Sequence, residues 1–509
     1  MFFSRRRVTG ALAAGGLGFF CARGKAFAAG PKPRLIILVI SEQFRSDYID
    51  RFGNFFVAGG FRRLRQEGSY FQDCQMAAST FTSSGLATLA TGAYPELHGI
   101  VADTWYDRKE HKPVLASLEK LQGTTLSDEV MSADSRNRIF GVGGALSSLE
   151  LLTGRLPTRL FSMLSDGEYE GRGSGPAMPW FEEYRQANPP GRLKGAGWQV
   201  LGGSKSVPPL RTLTADPDRP ETFSALYRSS PFAQAAQFGL LRDLIGRERL
   251  GQGPATDVVA VSLDSMALLG YEVGADSPLM REMVLHLDRE MEALLTLLDK
   301  SVGAHNYILA FSAAHGAVRQ GGEPRARYAI QGEAVARSIQ QALAAQYDVK
   351  NTRAAYVERY VYPFLYLRLD SLKRSYIDTR EARTQAGRAA LRVAGVAGYY
   401  TADGDCSHTG EWLRRFRNSF HAVRSGDVML AYEPECVEDF GAGRGISYGS
   451  LYNYESRVPL ILFGGPFAPQ SFDYAVESTD VAPTLAHALG VAWPSSATGR
   501  VLADALASG

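Results

Sequence analysis

The chain has almost no excess charge. Its 509 residues include 55 lysines and arginines against 53 aspartates and glutamates, so the formal net charge is only +2. No long basic tract or low-complexity run follows the N-terminus, and no internal repeat is visible. A nucleic-acid-binding surface needs an excess of basic side chains to neutralise phosphates, so the composition argues against a nucleic-acid partner. The apolar share of 45% is ordinary for a soluble globular protein.

Cysteine is also scarce. The sequence has four cysteines and no Cys-x-x-Cys pair, which excludes the common zinc and redox motifs of that form. Cys21 follows Gly-Phe-Phe, a poor site for lipid attachment, so no stable membrane anchor is expected. In an exported protein one disulfide is possible, and we expect it between Cys406 and Cys436. Three free thiols fit the sequence equally well.

The N-terminus has the layout of an export signal. Basic residues at 5–7 precede an apolar run rich in Gly and Ala over residues 10–20, and residues 26–28 (Ala-Phe-Ala) offer a cleavage site. The run is too short to cross a bilayer comfortably, and the paired arginines indicate the twin-arginine route. The sequence therefore predicts a signal peptide over residues 1–28 and a periplasmic or otherwise exported product.

Four continuous apolar runs mark buried strands. They cover residues 34–40, 258–263, 307–311 and 458–463. Runs of this kind suit parallel strands that are covered on both faces. Helical patterns lie between them, and residues 279–300 show the clearest apolar face. The sequence predicts an α/β fold with a doubly wound, mainly parallel central sheet flanked by helices, and with the active crevice at the carboxyl ends of the strands.

Two long stretches interrupt this alternation of strands and helices. The first covers about residues 105–231 and is rich in Gly, Pro and Ser, and the second covers about residues 317–427. We expect both to be cap insertions over the strand ends, within one domain that extends over residues 31–505.

Several segments resemble a known family of phosphate-ester hydrolases. Residues 80–85 (Thr-Phe-Thr-Ser-Ser-Gly) and 89–100 resemble the nucleophile segment of the type I phosphodiesterase/nucleotide pyrophosphatase branch of the alkaline phosphatase superfamily. Residues 424–428, 478–485 and 499–502 agree with the same branch. The similarity is strongest to its periplasmic phosphatases with a threonine nucleophile, and the matches keep a consistent order along the chain.

This resemblance implies phosphoryl transfer to a threonine hydroxyl, and Thr82 takes the nucleophile position. A hydroxyl at the start of a helix lies near backbone N–H groups that favour an anion. In the family, two zinc ions held by Asp and His side chains lower the pKa of this hydroxyl and offset the charge of phosphate. The alternative is that Thr82 is only a helix N-cap.

Most zinc-binding positions of the family hold other residues in this chain. Glu42, Thr82 and His315 remain as possible ligands, with Glu42 in place of an aspartate. The family's Asp, His, Asp and His positions hold, in this order, Ala267, Tyr271, Ala314 and Arg457. A structural zinc needs about four ligands and a catalytic zinc about three. We therefore expect no cofactor, with zinc bound only if this assignment of positions is wrong.

Positions expected to contact the substrate differ as well. Asp103 replaces a family asparagine, and its carboxylate would repel a phosphate. Arg457 would put a fixed cation where the first zinc sits in the family, so we expect it to pair with Asp103, Glu42 or a bound anion. Tyr448 stands at the place of a further family histidine.

Three functions are compatible with this pattern. The first is an exported pseudoenzyme of the superfamily that lacks the two-zinc site and binds a small anionic ligand or a partner protein. The second is an active phosphomonoesterase or phosphodiesterase that uses Thr82 as nucleophile with a rebuilt metal site. The third is a metal-independent hydrolase or transferase in which Arg457 is the electrophile and His315 the base. The residues favour the first.

Overall fold

The structure is a computed structural model that describes residues 32–204, 206–219, 221–318, 329–348, 352–439 and 448–507. The expected signal peptide, residues 1–28, lies outside these ranges. Within them, no helix is both long enough and apolar enough to cross a bilayer.

Strands are numbered along the chain. Those that the described residues form are β1 (Leu35–Ser41), β2 (Ser69–Gln75), β3 (Thr104–Asp107), β4 (Lys112–Leu115), β5 (Arg138–Gly143), β6 (Arg159–Met163), β7 (Tyr169–Arg172), β8 (Gly197–Trp198), β9 (Arg211–Thr212), β10 (Asp257–Leu263), β11 (Tyr307–Ala313), β12 (Ala329–Ile330), β13 (Val357–Val361), β14 (Phe364–Leu367), β15 (Val396–Thr401), β16 (Val428–Tyr432), β17 (Val437–Glu438), β18 (Arg457–Gly464) and β19 (Gln470–Glu477). Nine of them form a central sheet in the order β19-β2-β18-β11-β1-β10-β5-β6-β7.

The centre of this sheet is parallel. β1 pairs in parallel with β10 on one side and with β11 on the other, and β10 continues in parallel to β5. All residues of β1, β10 and β11 are buried, as expected for strands covered on both faces. The predicted α/β fold with a mainly parallel sheet is confirmed. β18 differs, because it runs antiparallel to both β11 and β2, and an apolar run carries no signal for strand direction.

Helices cover the sheet and connect its strands. In the described residues they are α1 (Tyr48–Arg51), α2 (Phe61–Glu67), α3 (Thr82–Thr91), α4 (Pro95–His98), α5 (Leu126–Ala133), α6 (Leu146–Thr153), α7 (Pro179–Ala187), α8 (Glu221–Arg228), α9 (Pro231–Arg247), α10 (Ser265–Val273), α11 (Pro278–Ser301), α12 (Gly332–Tyr347), α13 (Leu369–Arg374), α14 (Thr379–Ala390), α15 (Gly410–Ser419), α16 (Asn453–Ser456) and α17 (Val481–Leu489). α11 agrees with the predicted helix to within one residue at each end.

The two expected cap insertions differ in what they build. Within residues 105–231, the strands β5, β6 and β7 join the central sheet, so this stretch is part of the core as well as of any cover. The sequence did not reveal these three strands because each has only four to six residues. The Gly, Pro and Ser content of the surrounding stretch therefore still suggested an insertion. The second stretch contributes to a separate antiparallel sheet in the order β13-β14-β16-β15, with α12 and α14 packed together beside it. This unit, residues 329–348 and 352–439, has its own hydrophobic cluster. It is called the cap subdomain below, and its position over the strand ends stays a prediction.

The cysteines do not form the expected disulfide. Cys74, Cys406 and Cys436 are free thiols. The backbone of Cys406 forms an isolated β-bridge with that of Tyr400, near the end of β15. The Cys436 sulfur lies near Gly395, just before that strand begins. Five residues of extended chain separate the two places by roughly 16 Å, which is too far for a disulfide.

Candidate functional site

Thr82 lies in the first turn of α3, close to the ends of two strands. Its Oγ1 is 3.3 Å from Oε2 of Glu42 and 3.0 Å from Nε2 of His315. Glu42 directly follows β1 and His315 follows β11, so two neighbouring parallel strands bring these side chains to one edge of the sheet. All three are buried. The three predicted remnant positions therefore form one group, called the Thr82 cluster below.

Close packing of α3 on the end of β11 fixes the position of Thr82. A Cβ added to Gly85 would lie only 2.1 Å from the carbonyl oxygen of Ala314. Ala314 is fully buried, and its N–H donates to the Ser41 carbonyl oxygen at 2.9 Å. Ala314, one of the positions predicted to have lost a metal ligand, is therefore a packing contact between the helix and the sheet. Ala267, another such position, is buried in α10.

Burial decides which atoms of the cluster carry protons. It raises the pKa of Glu42 well above the usual range, and the nearby Asp264 and Asp103 raise it further, while the hydrogen bond with Thr82 lowers it. Burial also lowers the pKa of His315 to about 4, so its ring is neutral at pH 7. Because Nδ1 of this ring donates to the Gly316 carbonyl oxygen at 2.8 Å, Nε2 is left as an acceptor. It therefore competes with Oε2 of Glu42 for the single proton of the Thr82 hydroxyl.

His315 is a poor general base for the Thr82 hydroxyl. A general base works best when its pKa is near the working pH. With a pKa of about 4, His315 has little tendency to take the proton of Thr82 at pH 7. The pair can hold and orient a hydroxyl, but the ring supplies little driving force for its deprotonation.

Asp103 occupies the amino-terminal end of α3. Its Oδ1 accepts a hydrogen bond of 2.7 Å from the Ser83 N–H. This N–H is one of the donors that the first turn of a helix offers to an anion. The carboxylate of Asp103 thus stands where an external anion would bind. The structure places Asp103 against Ser83, the residue after Thr82, and its role as a pocket residue stays a prediction.

Aromatic rings fill the region of the lost histidine positions. The His315 ring stacks on Tyr448 with centroids 4.5 Å apart, and Tyr448 stacks on Tyr271 at 5.9 Å. Phe81 meets Tyr448 edge-on at 6.1 Å. Burial raises the pKa of both tyrosine hydroxyls, which keeps them as neutral phenols. Tyr271 is therefore part of a stack of rings.

Arg457 does not reach the Thr82 cluster. Its side chain is 41% exposed and forms an ion pair of 3.1 Å with Asp73, and it donates to the Gln72 carbonyl oxygen at 3.0 Å. Both partners lie on β2, the strand that pairs with β18. The expected pairing of Arg457 with Asp103 or Glu42 is corrected accordingly, because the register of β18 on β2 places this side chain beside Asp73.

Asp264 is an acidic neighbour that the sequence comparison did not assign. It follows β10 and is buried against Gly144, where an added Cβ would lie 2.0 Å from its carboxyl group. Burial raises its pKa, and the ion pair of 3.6 Å with Arg228 opposes that shift. An acidic residue directly after a buried strand was a usable signal, since such residues face the crevice of an α/β sheet.

Glu455 joins the chain before α3 to the segment that carries Tyr448. Its Oε2 accepts from the Thr80 hydroxyl at 2.7 Å and from the Ser450 and Gly449 N–H groups at 2.9 and 3.1 Å. Gly449 has a φ of 111°, and a Cβ there would lie 2.4 Å from the Phe81 ring. This glycine therefore allows the close approach that brings Tyr448 onto His315.

The donors present do not match a two-zinc site. Glu42, Thr82 and His315 are the potential ligands that the cluster brings together. Among the described residues, no group of three or more His, Cys, Asp or Glu side chains is placed to hold a metal ion. Even a single catalytic zinc needs about three protein ligands.

Comparisons with known proteins agree on the family. The sequence profile of type I phosphodiesterase/nucleotide pyrophosphatase matches residues 36–437. Alkaline phosphatase PafA of Elizabethkingia meningoseptica is 24% identical over 94% of this chain and 95% of its own length. Alkaline phosphatase PhoV of Synechococcus elongatus is 23% identical over 93% of each chain. The crystal structure of PafA superposes with a TM-score of 0.82 at 22% identity, over 94% of this chain and 100% of that one.

These relatives correct the expectation that the protein has no cofactor. Both are alkaline phosphatases, the class of enzyme for which the resemblance implies zinc, so that expectation is wrong. The relatives thus imply a metal that the donors of the Thr82 cluster do not fit. The profile match over most of the chain and the shared fold settle the family. The chain belongs to the type I phosphodiesterase/nucleotide pyrophosphatase family of the alkaline phosphatase superfamily.

Proposed function

We propose that this chain is an exported member of the family that binds a ligand at the Thr82 cluster and does not hydrolyse phosphate esters there by two-metal chemistry. The hydrogen bond from the Ser83 N–H to Asp103 supports this most directly. A phosphate that approached Thr82 would need this donor, and it would meet the carboxylate of Asp103 in its place.

The charges around the cluster favour a neutral or cationic ligand over a phosphate. Asp103 and Asp264 both lie close enough to Glu42 to raise its pKa. Arg228, which lies near Asp264, is already paired with it at 3.6 Å. Two like charges about 4 Å apart repel by about 4 kcal/mol at an effective dielectric constant of about 20. The small anionic ligand expected from the sequence therefore has little support at this place.

One observation favours a second candidate, an active phosphomonoesterase. The Thr82 hydroxyl lies at the start of α3, 3.0 Å from Nε2 of the His315 imidazole, which is the position that a nucleophile would need. The relatives named above are alkaline phosphatases, so the two candidates must be separated by experiment.

The experiment compares the purified mature protein with its Thr82→Ala variant. Hydrolysis of a phosphate monoester and a phosphate diester is measured with zinc added, and PafA is assayed in parallel as a positive control. We expect background rates that are equal in wild type and variant. Zinc-dependent turnover that Thr82→Ala abolishes would establish the phosphomonoesterase instead.

The export of the protein has a separate test. Deletion of residues 1–28, or replacement of Arg5 and Arg6 by lysine, is expected to keep the protein in the cytoplasm of a bacterial host. Cell fractionation reads out the result, and unchanged export of the variants would contradict this part of the proposal.

A further inference from the structure

We propose a second ligand site, an oxyanion-binding groove on the cap subdomain. The groove encloses about 370 Å³ and is lined by two arginines, Arg368 and Arg374, and by the hydroxyl side chains of Thr352, Ser371 and Ser375. None of the described residues that line it is acidic. It shares no lining residue with the Thr82 cluster.

One wall of the groove is the extended segment 352–357, which two side chains hold in place. The Gln340 side chain makes three hydrogen bonds of 2.7–2.9 Å with backbone groups of residues 354, 356 and 357. Asp348 accepts from the N–H and the hydroxyl of Thr352 at 2.8 and 2.7 Å, and from the Ala354 N–H at 3.2 Å. Asp348 therefore supports the wall, and because it takes the single proton of the Thr352 hydroxyl, this hydroxyl is not a donor for a bound anion.

The other wall is α13 with the residues that flank it. The Arg368 N–H donates to the Tyr356 carbonyl oxygen at 2.7 Å, which ties the two walls together. Arg374 donates to the Ser371 hydroxyl at 3.2 Å. In the part of the chain that the structure describes, neither guanidinium forms an ion pair with a carboxylate. The same helix also carries Asp370 and Lys373, both exposed, so its charge remains positive.

Two guanidinium groups that form no ion pair with a described carboxylate lie beside the hydroxyls of Ser371 and Ser375, and this arrangement suits an oxyanion. The planar fork of an arginine matches the oxygens of phosphate, sulfate or carboxylate in a bidentate way. The volume lies at the lower end of the range for small-molecule sites, which favours a small phosphorylated or sulfated molecule. Because the groove is open to water, binding is expected to weaken with salt. An anion would thus be held on the cap subdomain, away from the carboxyl groups around Thr82.

The test uses inorganic phosphate and inorganic sulfate as separate probes. Isothermal titration calorimetry on the full mature protein is run with wild type, Arg368→Gln, Arg374→Gln and the double variant. Each single substitution is expected to weaken binding about tenfold, because it removes one charge-assisted hydrogen-bonding group. The double variant is expected to abolish binding. Preference for one probe identifies the kind of anion. Raising the ionic strength from about 0.01 M to about 0.15 M should weaken wild-type binding.

Two controls make the result decisive. Arg392→Gln removes an exposed arginine elsewhere on the cap subdomain and is expected to leave the affinity within about twofold of wild type. Thr82→Ala is expected to leave it unchanged, which separates this groove from the proposed function of the Thr82 cluster. Absence of binding to wild type, equal binding by the double variant, or binding lost in Thr82→Ala would each overturn the proposal. Thermal unfolding of every variant checks that the fold is intact.

Discussion

In the proposed function, single carboxyl groups decide what the Thr82 cluster can bind. Asp103 takes the Ser83 N–H, and burial keeps a proton on Glu42 to a higher pH than on an exposed glutamate. A phosphate would have to displace the Asp103 carboxylate from the Ser83 N–H. The family's fold is retained here, and we propose that a few side chains at this edge of the sheet change what can enter.

Replacing Asp103 by asparagine should allow an anion to bind beside Thr82. The variant removes a negative charge at the start of α3, and its amide can still accept from Ser83 and can donate to a phosphate oxygen. Removal of one like charge about 4 Å away is worth several kcal/mol at an effective dielectric constant of about 20. We therefore expect the affinity for inorganic phosphate to rise at least about tenfold.

Calorimetry in the Arg368→Gln/Arg374→Gln background isolates this effect from the groove on the cap subdomain. Asp473→Asn, which removes an exposed carboxylate on β19, serves as the matched control and should change nothing. Equal affinity of the Asp103→Asn and Asp473→Asn variants would show that Asp103 does not keep phosphate out.

At the scale of elements, the contact between α3 and β11 positions the cluster. Position 85 has no room for a side chain, because the Ala314 carbonyl oxygen occupies the space where a Cβ would lie. Thr82 is one turn earlier on the same helix and His315 follows Ala314 directly. The 3.0 Å separation of Thr82 and His315 therefore depends on this approach.

Gly85→Ala tests this dependence. The new methyl group must push α3 away from backbone atoms that cannot move aside, and overpacking of this kind costs about 2 kcal/mol of unfolding free energy. Urea denaturation measures the change. Gly246→Ala in α9 is the matched control, because nothing lies within 4 Å of its Cβ position. That variant should be stabilised by roughly 0.5–1 kcal/mol, and a similar gain for Gly85→Ala would disprove the close approach.

At the scale of the whole molecule, the sequence predicted what depends on local pattern. The apolar runs that became β1, β10 and β11 were visible because strands covered on both faces need no polar alternation. The meeting of Glu42, Thr82 and His315 was predictable, since residues that follow parallel strands gather at one edge.

What the sequence did not predict depends on pairing between distant segments. Arg457 pairs with Asp73 because β18 runs antiparallel to β2 in a particular register. Neither the direction nor the register can be predicted from the local sequence. The same holds for β5–β7, which lie in the central sheet although their surroundings have the composition of an insertion. The stacking of Tyr448 on His315 depends on the fold of a segment more than a hundred residues away from that histidine.

The buried histidines make the stability of the whole molecule sensitive to acid, and His98 shows this most clearly. It is fully buried at the end of α4, where its Nδ1 accepts from the Ile100 N–H and its Nε2 lies 3.1 Å from the Thr88 hydroxyl. Burial lowers its pKa to about 3. Below the usual value of about 6.5, the unfolded chain binds a proton at this position that the folded chain does not. The stability contributed by neutral His98 is therefore complete above pH 6.5 and is lost as the pH falls towards 3.

His98→Asn removes the titrating group and keeps an acceptor for Ile100. We expect the difference in unfolding free energy between wild type and variant to shrink by about 3 kcal/mol from pH 7 to pH 4, at about 1.4 kcal/mol for each pH unit below 6.5. Chemical denaturation at a series of pH values measures this difference. Thr88→Ala loses a partner of the ring but keeps the imidazole, so it should retain the pH dependence of wild type. A difference between wild type and His98→Asn that stays constant from pH 7 to pH 4 would mean that His98 binds its proton equally well in the folded and the unfolded chain, which its burial argues against.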